Sequence, residues 1–245
     1  MTTKPLLFLD VDGVLNAFRP VRPHVERKAG GRWVKGKFLA YTLHFDNEAA
    51  DMVLALAEHF DIVWATMWNH AANREISPLL GLPEYPVAEM NHDAGWDAAI
   101  AKGTPTWDVR RMWYAKTALL AQYAGDRPYV WVDDDHSSVD RDWLAQHGTS
   151  THFMLVRTDA DYGIQWDDVN AAIEWARSLA DGALTSPAAY HGRKATVPFI
   201  PDYEPVLWYD QDGDVIPEED VYDNDYNPTD EEIADFLAKL EDEKS

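Results

Sequence analysis

Along the first 180 residues, short apolar runs alternate with longer stretches whose apolar positions recur every three or four residues. The run LLFLDV at residues 6–11 is too brief for a helix and reads as a buried strand ending near Asp10. Across residues 47–60, Met52, Val53, Leu56, Ala57 and Phe60 fall at helical spacing, and DIVWAT at 61–66 reads as a second buried strand. A helical stretch over 71–80 closes at Gly81 and Pro83. Residues 85–88 predict a third short strand, and residues 91–110 read as mixed and turn-rich. The pattern then predicts a helix over 113–123, a strand at YVWVD (129–133), a short helix over 140–146, a strand at FMLVRT (153–158) and a helix over 166–179. Apolar strands alternating with amphipathic helices predict an α/β fold, a parallel sheet with helices on both faces.

Past residue 180 the composition shifts to Gly, Ser, Pro and Ala, which reads as a linker over 181–200. Within 201–245, PVLWYDQDGDVIP reads as a hairpin turning at Asp212 and Gly213. Thr229 and Glu232 are spaced as a capping box, and Ile233, Phe236, Leu237 and Leu240 form one apolar stripe on a terminal helix. The stripe predicts that this extension docks or binds a partner. The expected organisation is a catalytic domain at 1–180, a linker at 181–200 and an extension at 201–245.

Composition agrees with a globular chain: 46% of the 245 residues are apolar and 12% aromatic. The start MTTKPLLFLD lacks the long apolar region of a signal peptide, and no run approaches the roughly 20 apolar residues of a membrane span. A soluble cytoplasmic protein is the expectation. Without cysteine there is neither disulfide nor thiolate chemistry.

The net charge of -22 argues against nucleic acid, whose phosphates are bound by Lys and Arg. The charge is unevenly placed, however. Residues 201–245 hold 17 acids against Lys239 and Lys244, leaving a net of -7 for residues 1–200. Residues 16–42 carry Arg19, Arg22, Arg27, Lys28, Arg32, Lys35 and Lys37 against Glu26 alone, a local +6. This basic island, within a flap spanning 16–45, reads either as a solvated loop or as a cover whose cations meet phosphates while Trp33 or Phe38 stacks on a base.

In an open parallel sheet, ligands bind beyond the carboxyl ends of the strands. Three predicted strands end on chemically useful groups: Asp10 with Asp12, Thr66, and Asp133 with Asp134 and Asp135. Lys116 opens the helix before the last of these. Clustered carboxylates repel one another unless a cation sits among them, and hard oxygen ligands open to water point to Mg²⁺. The turn allowed by Gly13 lets Asp10 and Asp12 reach one point, one as nucleophile and the other moving a proton. Thr66 and Lys116 supply the donor and the positive charge that a phosphoryl group needs.

These residues carry a resemblance. DVDGV at 10–14, Thr66 closing DIVWAT, Lys116, and the DDD of 133–135 are similar, in order, to the four motifs of the haloacid dehalogenase (HAD) superfamily of phosphohydrolases. With ATMWNHAAN, LLGLPEYPV and RPYVWVDDD the chain resembles the HAD domain of Swiss-army-knife RNA repair proteins over about residues 5–180. The resemblance implies a Rossmann-like core with a small flap instead of a large cap, with Asp10 as nucleophile and Asp12 as general acid and base. It also implies that Thr66 and Lys116 hold the phosphoryl oxygens, and that Mg²⁺ is bound by Asp10, the Asp12 carbonyl, and Asp134 or, second, Asp133. Ser138 occupies one position for a further acidic ligand, with Asp135 and Asp140 as substitutes.

Other patterns carry less. GGRWVKGKF has P-loop spacing but Phe38 where Ser or Thr belongs, and DQDGDVIPEEDV departs from a calcium loop at Gly213 and Val221. A phosphoacceptor receiver domain is rejected because Lys116 precedes the final acids. Trp68, His70 and Asn73 follow Thr66 closely and either line the site or pack a helix start. The expected function is a Mg²⁺-dependent phosphomonoester hydrolase forming an aspartyl-phosphate, acting on nucleotides or nucleic-acid ends. The alternative is a silent HAD scaffold whose acidic extension engages a basic protein partner.

Overall fold

Strand β1 (Leu6–Leu9) is buried along its whole length and lies between β4 (Asp61–Trp64) and β5 (Tyr129–Asp133), both parallel to it. The computed structural model describes residues 4–19, 23–34, 37–102, 116–184, 186–192, 208–209 and 215–216. On the far side of β5, β6 (Phe153–Arg157) and β7 (Ala188–Gly192) complete a five-stranded parallel sheet in the order β4-β1-β5-β6-β7. The sheet is the α/β, Rossmann-like core that the alternation of runs predicts.

Alternate residues of the strands point to opposite faces. Leu6, Phe8, Val63, Ala65, Tyr129, Trp131, Phe153 and Leu155 belong to one core with helices α3 (His92–Ala101), α4 (Lys116–Ala124) and α5 (Ser138–His147). The opposite face carries Leu7, Leu9, Val130, Val132 and Val156, all buried. Helices α1 (Ala49–His59) and α6 (Trp166–Ala180) pack against each other. A sheet buried on both faces needs apolar residues at every position, which is why its strands read as unbroken runs.

The structure departs from the sequence pattern in several places. Residues 92–101, expected to be turn-rich, form α3, begun by the Asn91 side chain accepting from the Ala94 amide. Residues 85–88 make only one bridge, Val87 to Trp64. The stretch over 71–80 is a π-helical turn, Ala72–Ile76, running into the short α2 (Ser77–Leu80), which ends on left-handed Gly81. Residues 188–192, inside the compositional linker, form the edge strand β7: its pairing with β6 outweighs a composition that only marks the approach to it. The basic island is no loop; it lies largely on β2 (His24–Val34) and β3 (Lys37–Asp46), which pair in a separate two-stranded sheet.

Two compact units result, residues 1–27 with 43–196, and residues 28–42 with 197–245. In the second, β8 (Trp208–Tyr209) and β9 (Val215–Ile216) pair antiparallel. The helix expected over 229–240 lies outside the described residues. Among the described residues no helix is long and apolar enough to cross a membrane.

Candidate active site

The pairings of Leu9 with Trp64 and with Val132 bring the ends of three strands level, so Asp10 emerges beside Ala65 and Asp133, with Thr66 one residue beyond. The chain then turns over at once. The Gly13 amide bonds to the Asn16 carbonyl, and the Leu15 and Asn16 amides both bond to the Val11 carbonyl. Gly13 has φ +72, and a Cβ placed there would lie 2.3 Å from Asp134 Cγ. Only glycine lets this turn pass so close beneath a carboxylate.

Lys116 is buried and bridges two strand ends: its Nζ donates to Asp10 Oδ2 at 2.7 Å and to Asp133 Oδ2 at 2.9 Å. Asp133 is further held by Trp131 Nε1 at 3.0 Å and by the Asp135 amide at 3.0 Å. Asp10 Oδ1 accepts from the Val11 amide at 2.8 Å. One oxygen from each of Asp10, Asp133 and Asp134 falls within 4.8 Å of the others.

The electrostatics follow from this crowding. Burial pushes the Asp10 carboxyl up, and the pull of Lys116 offsets only part of that. Burial, then the charges of Asp133, Asp135 and Asp10, push Asp134 up to about 8. Burial also works against Asp133, but Lys116 and His136 overcome it and hold this carboxyl low. Desolvation likewise opposes the Lys116 ammonium, and the two carboxylates more than reverse it, leaving its pKa raised. With all three carboxyls ionised, Asp10, Asp133 and Asp134 exceed the single charge of Lys116 by two. Their oxygens and this charge fit a divalent cation, and Mg²⁺ is the hard ion such a set suits. Both Asp133 oxygens already accept hydrogen bonds, from Lys116 and Trp131 on one and from the Asp135 amide on the other.

Asp12 is partly buried and held at both oxygens, by Asn16 Nδ2 at 2.8 Å and by Trp68 Nε1 at 2.9 Å. Thr66 is buried, and its hydroxyl accepts from the Trp68 amide at 3.3 Å. Trp68 therefore lines the site, whereas His70 lies exposed beside Glu89 and Asn73 braces Trp64 and residue Tyr85. Asn16 was not singled out in the sequence; its only signal is its place four residues after Asp12, at the close of the motif turn. Asp140 is committed elsewhere: one oxygen takes the Thr117 hydroxyl at 2.6 Å and the other caps α5 through the Ser137 amide at 2.8 Å. Asp135 lies outside the three-carboxylate group.

No curated protein and no solved structure matches this chain. A family model does, described as the HAD domain in Swiss Army Knife RNA repair proteins, over residues 6–169. The match spans about two thirds of the chain and contains every strand end described above, and the chain belongs to this family of HAD domains.

Proposed function

We propose that the protein is a Mg²⁺-dependent phosphomonoester hydrolase working through an aspartyl-phosphate on Asp10. The observation that carries the reading is the Lys116 ammonium clamped between Asp10 and Asp133, with Asp134 packed against Gly13. Asp10 attacks phosphorus through a carboxylate oxygen while the bond to the leaving oxygen breaks and Asp12 delivers a proton to it. Water then attacks the acyl-phosphate, Asp12 takes its proton, and phosphate leaves with the Asp10 carboxylate restored. Trp68 and Asn16 orient the Asp12 carboxyl for both transfers. Lys116 and Thr66 face the phosphoryl oxygens as charge develops. Asp10, Asp134 and the Asp12 carbonyl would hold Mg²⁺, with Asp133 second to Asp134, and the ion would neutralise phosphoryl charge when bound.

Two observations support a nucleotide or a nucleic-acid end as substrate. The family is that of RNA repair proteins, and the +6 stretch over 16–42 begins on the motif turn itself. Strand β3 is tied to that turn through the His44 amide donating to Asn16 Oδ1 at 2.8 Å. The test is phosphate release from nucleotides, 3′- and 5′-phosphorylated oligonucleotides and sugar phosphates, with Mg²⁺ or EDTA. Metal-dependent release abolished by Asp10→Asn is expected, with a nucleotide or oligonucleotide as best substrate. Equal background in wild type and variant would overturn the hydrolase, and preference for sugar phosphates would overturn the substrate class.

A further inference from the structure

Outside the acidic centre, the described residues gather a second set of metal-ligating side chains on β2 and β3. His24 and Glu26 stand two apart on β2, so the strand's period places them on one face. His44 on β3 reaches the same point, and one ligand atom from each of the three lies within 4.8 Å of the other two. Glu26 Oε1 is 3.9 Å from His24 Nε2 and 3.8 Å from His44 Nδ1. The imidazoles meet edge to face with centroids 5.3 Å apart. Both N···O separations exceed hydrogen-bond reach. The His44 Nδ1 is shielded from solvent and takes no hydrogen bond. A buried polar nitrogen aimed at a carboxylate, yet bonded to nothing, is what a ligand looks like before its ion arrives.

Three donors at roughly 2.0–2.1 Å from one tetrahedral ion stand about 3.4 Å apart. The two histidine–glutamate separations exceed this by about half an ångström and the histidine–histidine one lies within 4.8 Å, so the set closes onto an ion with side-chain shifts on the order of 1 Å. We propose that His24 Nε2, His44 Nδ1 and a Glu26 carboxylate oxygen form a Zn²⁺ site distinct from the acidic centre. Imidazole nitrogens suit zinc and disfavour Mg²⁺, whereas the all-carboxylate set of Asp10, Asp133 and Asp134 suits Mg²⁺. Three protein ligands leave a fourth position for water. The ion ties β2 to β3. His44 is also bonded through its amide to Asn16 and through its carbonyl to the Ala17 amide at 3.0 Å, so the clip stiffens the strand on which the Asp12 turn rests.

The experiment is calorimetric titration of the metal-stripped full chain with Zn²⁺, in saturating Mg²⁺ to fill the acidic centre, beside titration with Co²⁺ followed by visible absorption. One zinc equivalent is expected, with the intense absorption of four-coordinate Co²⁺. Binding should persist in Asp134→Asn and weaken at least about 10-fold in Glu26→Gln, since even outer partners of a metal site cost that much. Glu26 is largely solvent-exposed, so this variant keeps the fold. His24→Ala with His44→Ala should abolish uptake. Uptake unchanged in Glu26→Gln and in the double variant, or lost in Asp134→Asn, or a six-coordinate Co²⁺ spectrum, would overturn the site.

Discussion

Gly13→Ala tests the geometry of the acidic centre more directly than removal of any one acid. Gly13 sits at φ +72, and the added Cβ would lie 2.3 Å from Asp134 Cγ and 2.5 and 2.6 Å from its oxygens. Non-bonded atoms settle near 3.5 Å, so the carboxylate must retreat by about 1 Å. A left-handed Ala costs roughly 1–2 kcal/mol, and an off-rotamer Asp134 adds about 0.5–1.5 kcal/mol. The sum, about 2–3 kcal/mol, lowers the melting temperature by roughly 5–10 °C in a chain of this size. Gly81→Ala is the control: its φ is +66, but nothing lies within 4 Å of the new Cβ, so it carries backbone strain alone. Displacing Asp134 by this much should also slow phosphate release on the order of 10²-fold, because a 1 Å error in a catalytic centre costs about that. It should shrink the rise in melting temperature that Mg²⁺ produces, while Gly81→Ala keeps both. Thermal melts with and without Mg²⁺, paired with a phosphate-release assay, decide it. If Gly13→Ala matches Gly81→Ala in Mg²⁺ response and in rate, the placement of Asp134 beneath the turn is wrong.

Further outcomes follow from the same contacts. Lys116→Met leaves Asp10 and Asp133 buried without their counter-charge, and should cost about 3–5 kcal/mol near neutral pH, with a smaller loss in acid; denaturant melts at several pH values measure this. In metal-free protein the raised carboxyls of Asp10 and Asp134 hold protons more tightly folded than unfolded, so stability should fall as pH rises from about 4 to about 8. The Mg²⁺-induced rise in melting temperature should grow over the same range, and an increment independent of pH would contradict the cluster. Trp68→Phe deletes the donor to Asp12 while keeping most of the ring's packing, and should lower kcat by about 10-fold or more with KM little changed, the worth of one hydrogen bond to a carboxylate. Asp140→Ala loses the α5 cap and the Thr117 bond and should cost about 2–3 kcal/mol, yet leave activity per folded molecule intact; a lost Mg²⁺ response would instead make Asp140 a ligand.

The sequence by itself determined the sheet and which residues stand where its strands end. Runs such as LLFL and YVWV have no charged position to expose and are too short for helices, so they read as strands buried on both faces, and the residues that end them meet at one edge. Asp10, Thr66 and Asp133 were legible for that reason, and Lys116 through the resemblance. What tertiary structure decided were the partnerships formed across long sequence distances. Lys116 reaches Asp10 over 106 residues, and Trp68 reaches Asp12 over 56. The local Ser137–Asp140 capping box takes one Asp140 oxygen, but the Thr117 hydroxyl on the other comes from 23 residues away, which no local pattern encodes. Strand β7 was hidden because an edge strand has only one neighbour to satisfy and tolerates the small residues of AAYHG. The His24, Glu26 and His44 group was invisible for a related reason. Its spacing of two and eighteen residues matches no metal motif, and only the pairing of β2 with β3 brings its third member beside the first two.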